Sequence, residues 1–256
     1  ILRPLVIGGE VDDSLILYVG ARLGLSEDLL QELHQHLEET PATAAAGLPA
    51  HMQNTIRALH EDTHFHIRGQ TDTCRTVLGS RRSRPGDSFA DVIFSYLWGR
   101  ILHRLQAHLF GLGLGEHVNA EEGLRLPSTP ASPALPQQAF LGPTWMDDTC
   151  VCVSDPCHER LERKIMQATG ILLGLCESHG LTPNLQPGKS EVLLVFQGKG
   201  ARKMRVRYFG PNSDHTLLLM GEMGAKKIRV VNQYSHLGCL VHHRPDNRRE
   251  DRKSVV

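Results

Sequence analysis

Phe140-Leu141-Gly142-Pro143-Thr144-Trp145-Met146-Asp147-Asp148-Thr149-Cys150-Val151-Cys152-Val153 is the stretch on which the reading of this chain turns: two short β-prone runs meeting at adjacent carboxylates. It reads as a hairpin with Asp147 and Asp148 at its tip. In a regular strand neighbouring side chains point to opposite faces, so two consecutive aspartates serve one site only where the chain turns, a place that also favours Asp. Adjacent carboxylates repel, and that cost disappears when a divalent cation between them takes oxygen ligands from each. A Mg²⁺ site is one reading of the dipeptide and a solvated Asp-Asp turn is the other.

The chain around it is long enough, at 256 residues, for one large domain or two modest ones. Lysine plus arginine equal aspartate plus glutamate at 28 each, so the net field gives no general attraction to nucleic acid or an anionic membrane. A polyanion partner must be held by local patches. Six cysteines are scattered without the spacing of a small secreted scaffold, and no basic and apolar leader opens the sequence. These features imply reduced thiols and an intracellular chain, cytoplasmic or nuclear. No apolar run approaches the roughly 20 residues that span a bilayer. The sequence opens on Ile1, in what reads as the middle of an element, so a fragment is expected.

Residues 1–60 read as a helical segment. Ile1 to Ile7 is apolar and stops at the Gly8-Gly9 reversal. A helix capped at Asp12-Asp13 carries Leu15, Ile16, Val19 and Leu23 and ends at Gly24; a second, capped by Ser26, carries Leu29, Leu30, Leu33 and Leu37. Thr40 to Pro49 reads as a linker before a short helix through Met52, Ile56 and Leu59. Thr63 to Leu78 reads as a β-hairpin with His64 and His66 on one strand face, two possible metal ligands or a polar surface. Ser80 to Asp87 is a basic loop, and the helix after it has Phe89, Val92, Ile93, Leu97, Ile101, Leu105 and Leu109 at the 3.6-residue period. Gly86, with three arginines nearby at the mouth of that helix, suits a phosphate; an ordinary helix start with solvated arginines is the alternative.

Glu116 to Gln138 is a Pro-, Ser- and Ala-rich surface connection. Past the Asp-Asp hairpin, Ser154-Asp155-Pro156 opens a helix with Leu161, Ile165, Ala168, Leu172, Leu175 and Cys176 on its inner face, closed by Gly180. A turn-rich loop then delivers Lys189 to a strand, Val192 to Phe196. Ala201 to Phe209 alternates Lys203, Arg205 and Arg207 with Met204, Val206 and Tyr208, which predicts a half-buried strand whose basic stripe either tracks a nucleic-acid backbone or is solvated. His215 to Met220, Lys227 to Val231 and Tyr234 to Val241 read as further strands, and residues 242–256 as a charged tail.

Four stretches, in this order, resemble the palm of a reverse transcriptase of the non-LTR retrotransposon type. Arg84-Pro85-Gly86-Asp87-Ser88-Phe89-Ala90-Asp91-Val92-Ile93-Phe94 resembles the second palm motif, which contacts template and incoming nucleotide. Trp145-Met146-Asp147-Asp148 resembles the metal-binding box. Gly180-Leu181 with Asn184 and Lys189-Ser190-Glu191 resembles the next motif, whose lysine is implicated in protonating the leaving pyrophosphate. Tyr234 with Leu237-Gly238 resembles the primer-grip hairpin. The resemblance covers about two thirds of the chain. It departs from the family where Ser-Pro of the second motif is Ala90-Asp91, where the glutamine before its glycine is Pro85, and in the bulk of Trp145. These differences bear on substrate discrimination rather than on fold.

The resemblance implies an α+β fold, a palm of antiparallel sheet with packed helices over residues 61–241, truncated at its N-terminus and in the thumb. It implies an RNA-directed DNA polymerase using Mg²⁺ or Mn²⁺, with RNA or DNA template, primer and dNTPs as partners. Asp147 and Asp148 are the expected metal ligands, Lys189 the general acid, Arg84, Gly86 and Phe94 the nucleotide contacts, and Tyr234, Leu237 and Gly238 the primer grip. Ile1 to Ile7 resembles the residues just after the first palm motif, whose aspartate is missing from the sequence, so these 256 residues alone are expected to polymerise poorly. Two other readings compete: a catalytically dead remnant that at most binds nucleic acid, and a zinc-stabilised interaction domain using Cys150, Cys152, Cys157 and His158.

Overall fold

A computed structural model describes residues 2–9, 11–60, 64–68, 74–78, 88–118, 138–145, 148–221, 224–236 and 239–242. It is an α+β structure that divides into two compact units, the first holding residues 1–103 with 178–180 and the second residues 104–177 with 181–256.

The first unit begins with α1 (Leu2–Ile7), where Pro4 lies in the first turn and lacks only an N–H that the helix does not use. Leu5, Val6 and Ile7 are fully buried. The orphaned carbonyls at the end of α1 are met by side chains: Thr43 Oγ1 donates to Val6 O at 2.7 Å and Arg57 Nη2 to Ile7 O at 3.0 Å. α2 (Asp13–Leu23) starts where Asp12 accepts from the Ser14 N–H and stops at Gly24 in the left-handed region, φ 68°. α3 (Glu27–Glu38) follows, capped by Ser26 and burying Leu29 and Leu33. The two pack so closely that a Cβ on Gly20 would overlap the Leu30 side chain.

The Thr40 to Pro49 stretch is not only a linker, since α4 (Ala42–Ala45) forms within it and buries Ala42 and Thr43 against the chain. Ala runs carry high helix propensity, and the buried Thr43 bond to α1 fixes the turn in place. In α5 (Ala50–His60) only part of the expected stripe is inside: Ile56 is buried, whereas Met52 and Leu59 are about half exposed. The expected hairpin is present as β1 (His64–Arg68) and β2 (Cys74–Leu78), antiparallel with His64 opposite Leu78 and Arg68 opposite Cys74. His64 and His66 lie two residues apart on β1. Their side chains, and the basic loop with Arg84 and Gly86, lie outside the described residues.

α6 (Ser88–Gly111) runs from the first unit into the second with Ile93, Leu97, Ile101, Leu105 and Leu109 buried at helical spacing; Val92 instead faces solvent. Two ends of the expected surface connection are strands, β3 (Glu116–Val118) paired antiparallel with β4 (Gln138–Phe140). The hairpin of β5 (Thr144–Trp145) and β6 (Asp148–Thr149) comes next, then α7 (His158–Ser178). α7 starts three residues beyond Asp155, whose Oδ1 accepts the Cys157 N–H at 2.8 Å, so Pro156 precedes the helix rather than opening it. Its buried face is Leu161, Ala168, Leu173 and Cys176, with Leu173 and not Leu172 turned fully inward. Gly180, φ 71°, ends it, and the Leu181 N–H returns to Cys176 O at 2.8 Å.

The core of the second unit is a three-stranded sheet of β7 (Glu191–Leu193), β9 (Gly224–Val231) and β8 (Thr216–Gly221) in the order β7-β9-β8. It is mixed, not wholly antiparallel, because β7 runs parallel to β9. Ala201 to Phe209 is a helix, α8, and not the strand that its alternating cations suggested. Ala201, Met204 and Tyr208 are the buried residues, at i, i+3 and i+7, and the Lys, Arg and Met content favours helix. Leu161 and Leu173 of α7, these three residues, and Leu194, Phe196, Leu217, Leu219, Ile228 and Val230 from in and around the sheet form one cluster. Phe196 stacks on Tyr208 with centroids 5.8 Å apart. A last hairpin, β10 (Gln233–His236) with β11 (Cys239–His242), pairs Tyr234 with Val241. The described sheets are small and separate, and no palm fold is identified among them.

Candidate functional site

The expected hairpin is present as an antiparallel pair: Trp145 pairs with Asp148 and Thr144 with Thr149, which makes Asp148 the first residue of the return strand. The ladder continues past the assigned strands, since the Cys150 N–H donates to Pro143 O at 2.9 Å and the Cys152 N–H to Leu141 O at 2.9 Å. All four pairings share one register, so Asp148, Cys150 and Cys152 alternate onto one face. Gly142 permits this close approach: a Cβ there would overlap the Cys150 carbonyl oxygen, and its φ of 147° suits glycine. Asp148 is exposed, and Asp147 lies outside the described residues.

Lys189 sits on a loop tied by its own backbone. Its N–H donates to Gln186 O at 3.0 Å, the Ser190 N–H to Asn184 O at 3.1 Å and the Gln186 N–H to Asn184 Oδ1 at 3.1 Å. Glu191, which had no expected role beyond its place in a motif, holds the same loop. Its Oε1 accepts from the Gly188 N–H at 2.9 Å and from Arg229 Nη1 at 3.3 Å, across a register in which Glu191 faces Arg229. The Lys189 side chain is left exposed. Only the position of Glu191 at the start of an apolar run after Gly188 hinted at this bracing role.

Tyr234 joins these parts. Its Oη donates to the Lys189 carbonyl at 2.7 Å. Burial, with the negative charges of Asp148 and Glu191, raises the phenol pKa, so the hydroxyl keeps its proton and remains a donor. Lys189 and Tyr234 thus meet within the second unit, with the charge of Asp148 near enough to act on the phenol. Beside them is a polar cleft of about 380 Å³ lined by Gly188, Glu191, His215, Arg229, Asn232 and Gln233. His215, at φ 52°, hydrogen-bonds through Nδ1 to Tyr208 O at 2.7 Å.

Leu237 and Gly238 are, like Arg84 and Gly86, outside the described residues. Phe94 belongs to the first unit, where it is half-buried and stacks on Trp98 at 6.0 Å. The basic stripe of Lys203, Arg205 and Arg207 is dispersed by the helical geometry of α8: Arg205 Nη2 donates to Phe196 O at 2.6 Å, and Arg207 makes a two-pronged pair with Glu162 at 2.9 and 3.0 Å.

Mg²⁺ takes hard oxygen ligands, a type that Asp148 supplies. Glu191 already uses its Oε1 within the protein, and among the described residues no three His, Cys, Asp or Glu side chains come together as a metal set. The described donors therefore fit Mg²⁺ in kind but not in number. The four zinc candidates are likewise not gathered: Cys157 Sγ bonds Glu159 Oε2 at 3.2 Å, while His158 Nε2 contacts Lys199 O at 3.1 Å and its ring packs edge-on to Phe196. Among the described residues no helix is long and apolar enough to cross a membrane. The chain matches no protein-family model, no curated protein and no solved structure.

Proposed function

We propose that this chain is the palm portion of an RNA-directed DNA polymerase of the non-LTR retrotransposon type, which holds a primer–template and a dNTP for nucleotidyl transfer. The observation that supports the reading is the hydrogen bond from Tyr234 Oη to Lys189 O, with the charge of Asp148 acting on the phenol, because these residues come from three stretches that separately resemble motifs of one family. Motifs scattered by coincidence have no reason to meet.

Two Mg²⁺ ions, when bound, supply activation of the primer 3′ hydroxyl and charge neutralisation on the triphosphate. The chain's own residues orient the reactants. Asp147 and Asp148 offer carboxylate oxygens at the hairpin. Lys189, on a braced loop with its ammonium in solvent, is positioned to contact phosphate and to give a proton to the departing pyrophosphate. Tyr234 is hydrogen-bonded to that loop, and its hairpin holds the primer end. Arg84, Gly86 and Phe94 border the incoming nucleotide by resemblance.

A second reading, a palm that binds nucleic acid without extending it, is favoured by Pro85, Ala90 and Asp91, where the sequence departs from the second motif it resembles. One experiment addresses both. A fluorescent RNA template with a 3′-dideoxy DNA primer is titrated with the protein in Mg²⁺ and each dNTP in turn. The proposal predicts tighter binding with the complementary dNTP only, and loss of that selectivity in Asp148→Asn and Lys189→Ala. Binding with no dNTP selectivity supports the second reading, and no binding overturns both. With an extendable primer, robust Asp147-dependent synthesis by these 256 residues would overturn the expectation of weak polymerisation.

A further inference from the structure

Cys150 and Cys152 stand together in a way the rest of the site does not use. Both backbones are fixed, Cys150 to Pro143 and Cys152 to Leu141, each by a 2.9 Å bond, and the intervening chain is clamped where Gly142 passes the Cys150 carbonyl. Residues two apart in such a ladder project from the same face. The two thiols are near enough that Cys150, together with burial, pushes the Cys152 pKa up. Cys150 is exposed and Cys152 half-buried, so the pair has one open flank. The other described thiols are differently placed: Cys157 is bonded to Glu159, and Cys176 is buried.

Two residues apart in an extended strand, the Cα atoms lie about 6.4 to 6.8 Å from each other, at the upper limit for a disulfide. Direct oxidation therefore requires the strand to shorten. A bridging atom does not, because it makes up the difference between the sulfurs. Soft thiolate ligands select soft ions.

We propose that Cys150 and Cys152 form a two-thiol chelating site for a soft, thiophilic ion of the Cu(I) or trivalent arsenic class. Each thiol gives up its proton and forms one sulfur–ion bond. With a monosubstituted arsenoxide two As–S bonds form, and the oxygen leaves as water with both thiol protons. No electrons change hands. The site is independent of the nucleotidyl-transfer reading.

The test uses the full chain, reduced and freed of excess reductant, with phenylarsine oxide as probe. Intact-mass and peptide-mapping spectrometry should find one adduct per chain, less one water, on the peptide holding Cys150 and Cys152. Chelation makes the second bond intramolecular, so the glutathione concentration that strips half the adduct should fall by roughly 10²-fold in Cys150→Ser and in Cys152→Ser. Unchanged far-UV circular dichroism certifies that both variants fold, and a Cu(I) titration against a competing chelator should show the same loss. An adduct on other cysteines, or one equally resistant to glutathione in both variants, overturns the proposal.

Discussion

Replacing Tyr234 with Phe removes one atom and asks what joins the Lys189 loop to the β10–β11 hairpin. The ring and its packing stay, so the loss is confined to the 2.7 Å bond from Oη to Lys189 O. A neutral hydrogen bond of this kind contributes about 0.5 to 1.5 kcal/mol net, and the exposure of Lys189 lets water replace part of it. Urea unfolding should then lose about 1 kcal/mol at unchanged m-value, and the melting temperature roughly 2 to 4 °C. A readout specific to the loop is hydrogen exchange at the Lys189 and Ser190 amides, which are bonded to Gln186 O and Asn184 O. Their local opening should become about fivefold more frequent, the equivalent of 1 kcal/mol, while amides in β8 and β9 keep their protection. If exchange at Lys189 and Ser190 is unaltered in a folded Tyr234→Phe protein, the phenol does not hold the loop, and the reasoning that assembles the site fails.

Gly142→Ala places a Cβ against the Cys150 carbonyl at a φ of 147°, and should cost about 2 kcal/mol or more and disorder the hairpin, as read by unfolding midpoint and exchange at Cys150 and Cys152. Thr43→Val keeps shape but orphans the buried Val6 carbonyl, so a loss of about 1 to 3 kcal/mol is expected by urea unfolding. Asp155 accepts the Cys157 N–H and is paired with Arg160 and Lys164, which lowers its pKa from 3.8 to about 2. Its contribution to stability is therefore complete above pH 3.8 and is lost as pH falls through about 2, and Asp155→Asn should flatten that part of the stability-versus-pH curve.

Much of the helical architecture was legible because its signals are local. Asp12, Gly24 and Ser26 mark their helix ends by side-chain and backbone chemistry that needs no tertiary partner, and the period from Ile93 to Leu109 is long enough to be unambiguous. Failures came where two periods compete. In Ala201 to Phe209 the alternating cations spell a strand, yet burial follows Ala201, Met204 and Tyr208, and the apolar spacing determines the structure. α4 was hidden because its fixing contact, Thr43 to Val6, spans 37 residues. The hairpin around Asp148 was legible from turn chemistry, but its pairing, with Asp148 opposite Trp145 in the return strand, was not. The meeting of Tyr234 with Lys189 was not legible from spacing, since it depends on the packing of β7, β9 and β10 across 45 residues. Only the resemblance suggested that they belong together.

The most direct test of the central claim is to map where the primer end lies. A DNA primer carrying 5-iododeoxyuridine at its 3′ terminus, annealed to an RNA template, is irradiated with the protein in Mg²⁺ and the crosslinked peptides are sequenced. The account predicts adducts at Tyr234 and in the segments holding Asp148 and Lys189, lost when unlabelled primer–template competes. Specific adducts confined to peptides elsewhere in the chain, with none in these three segments, would contradict it.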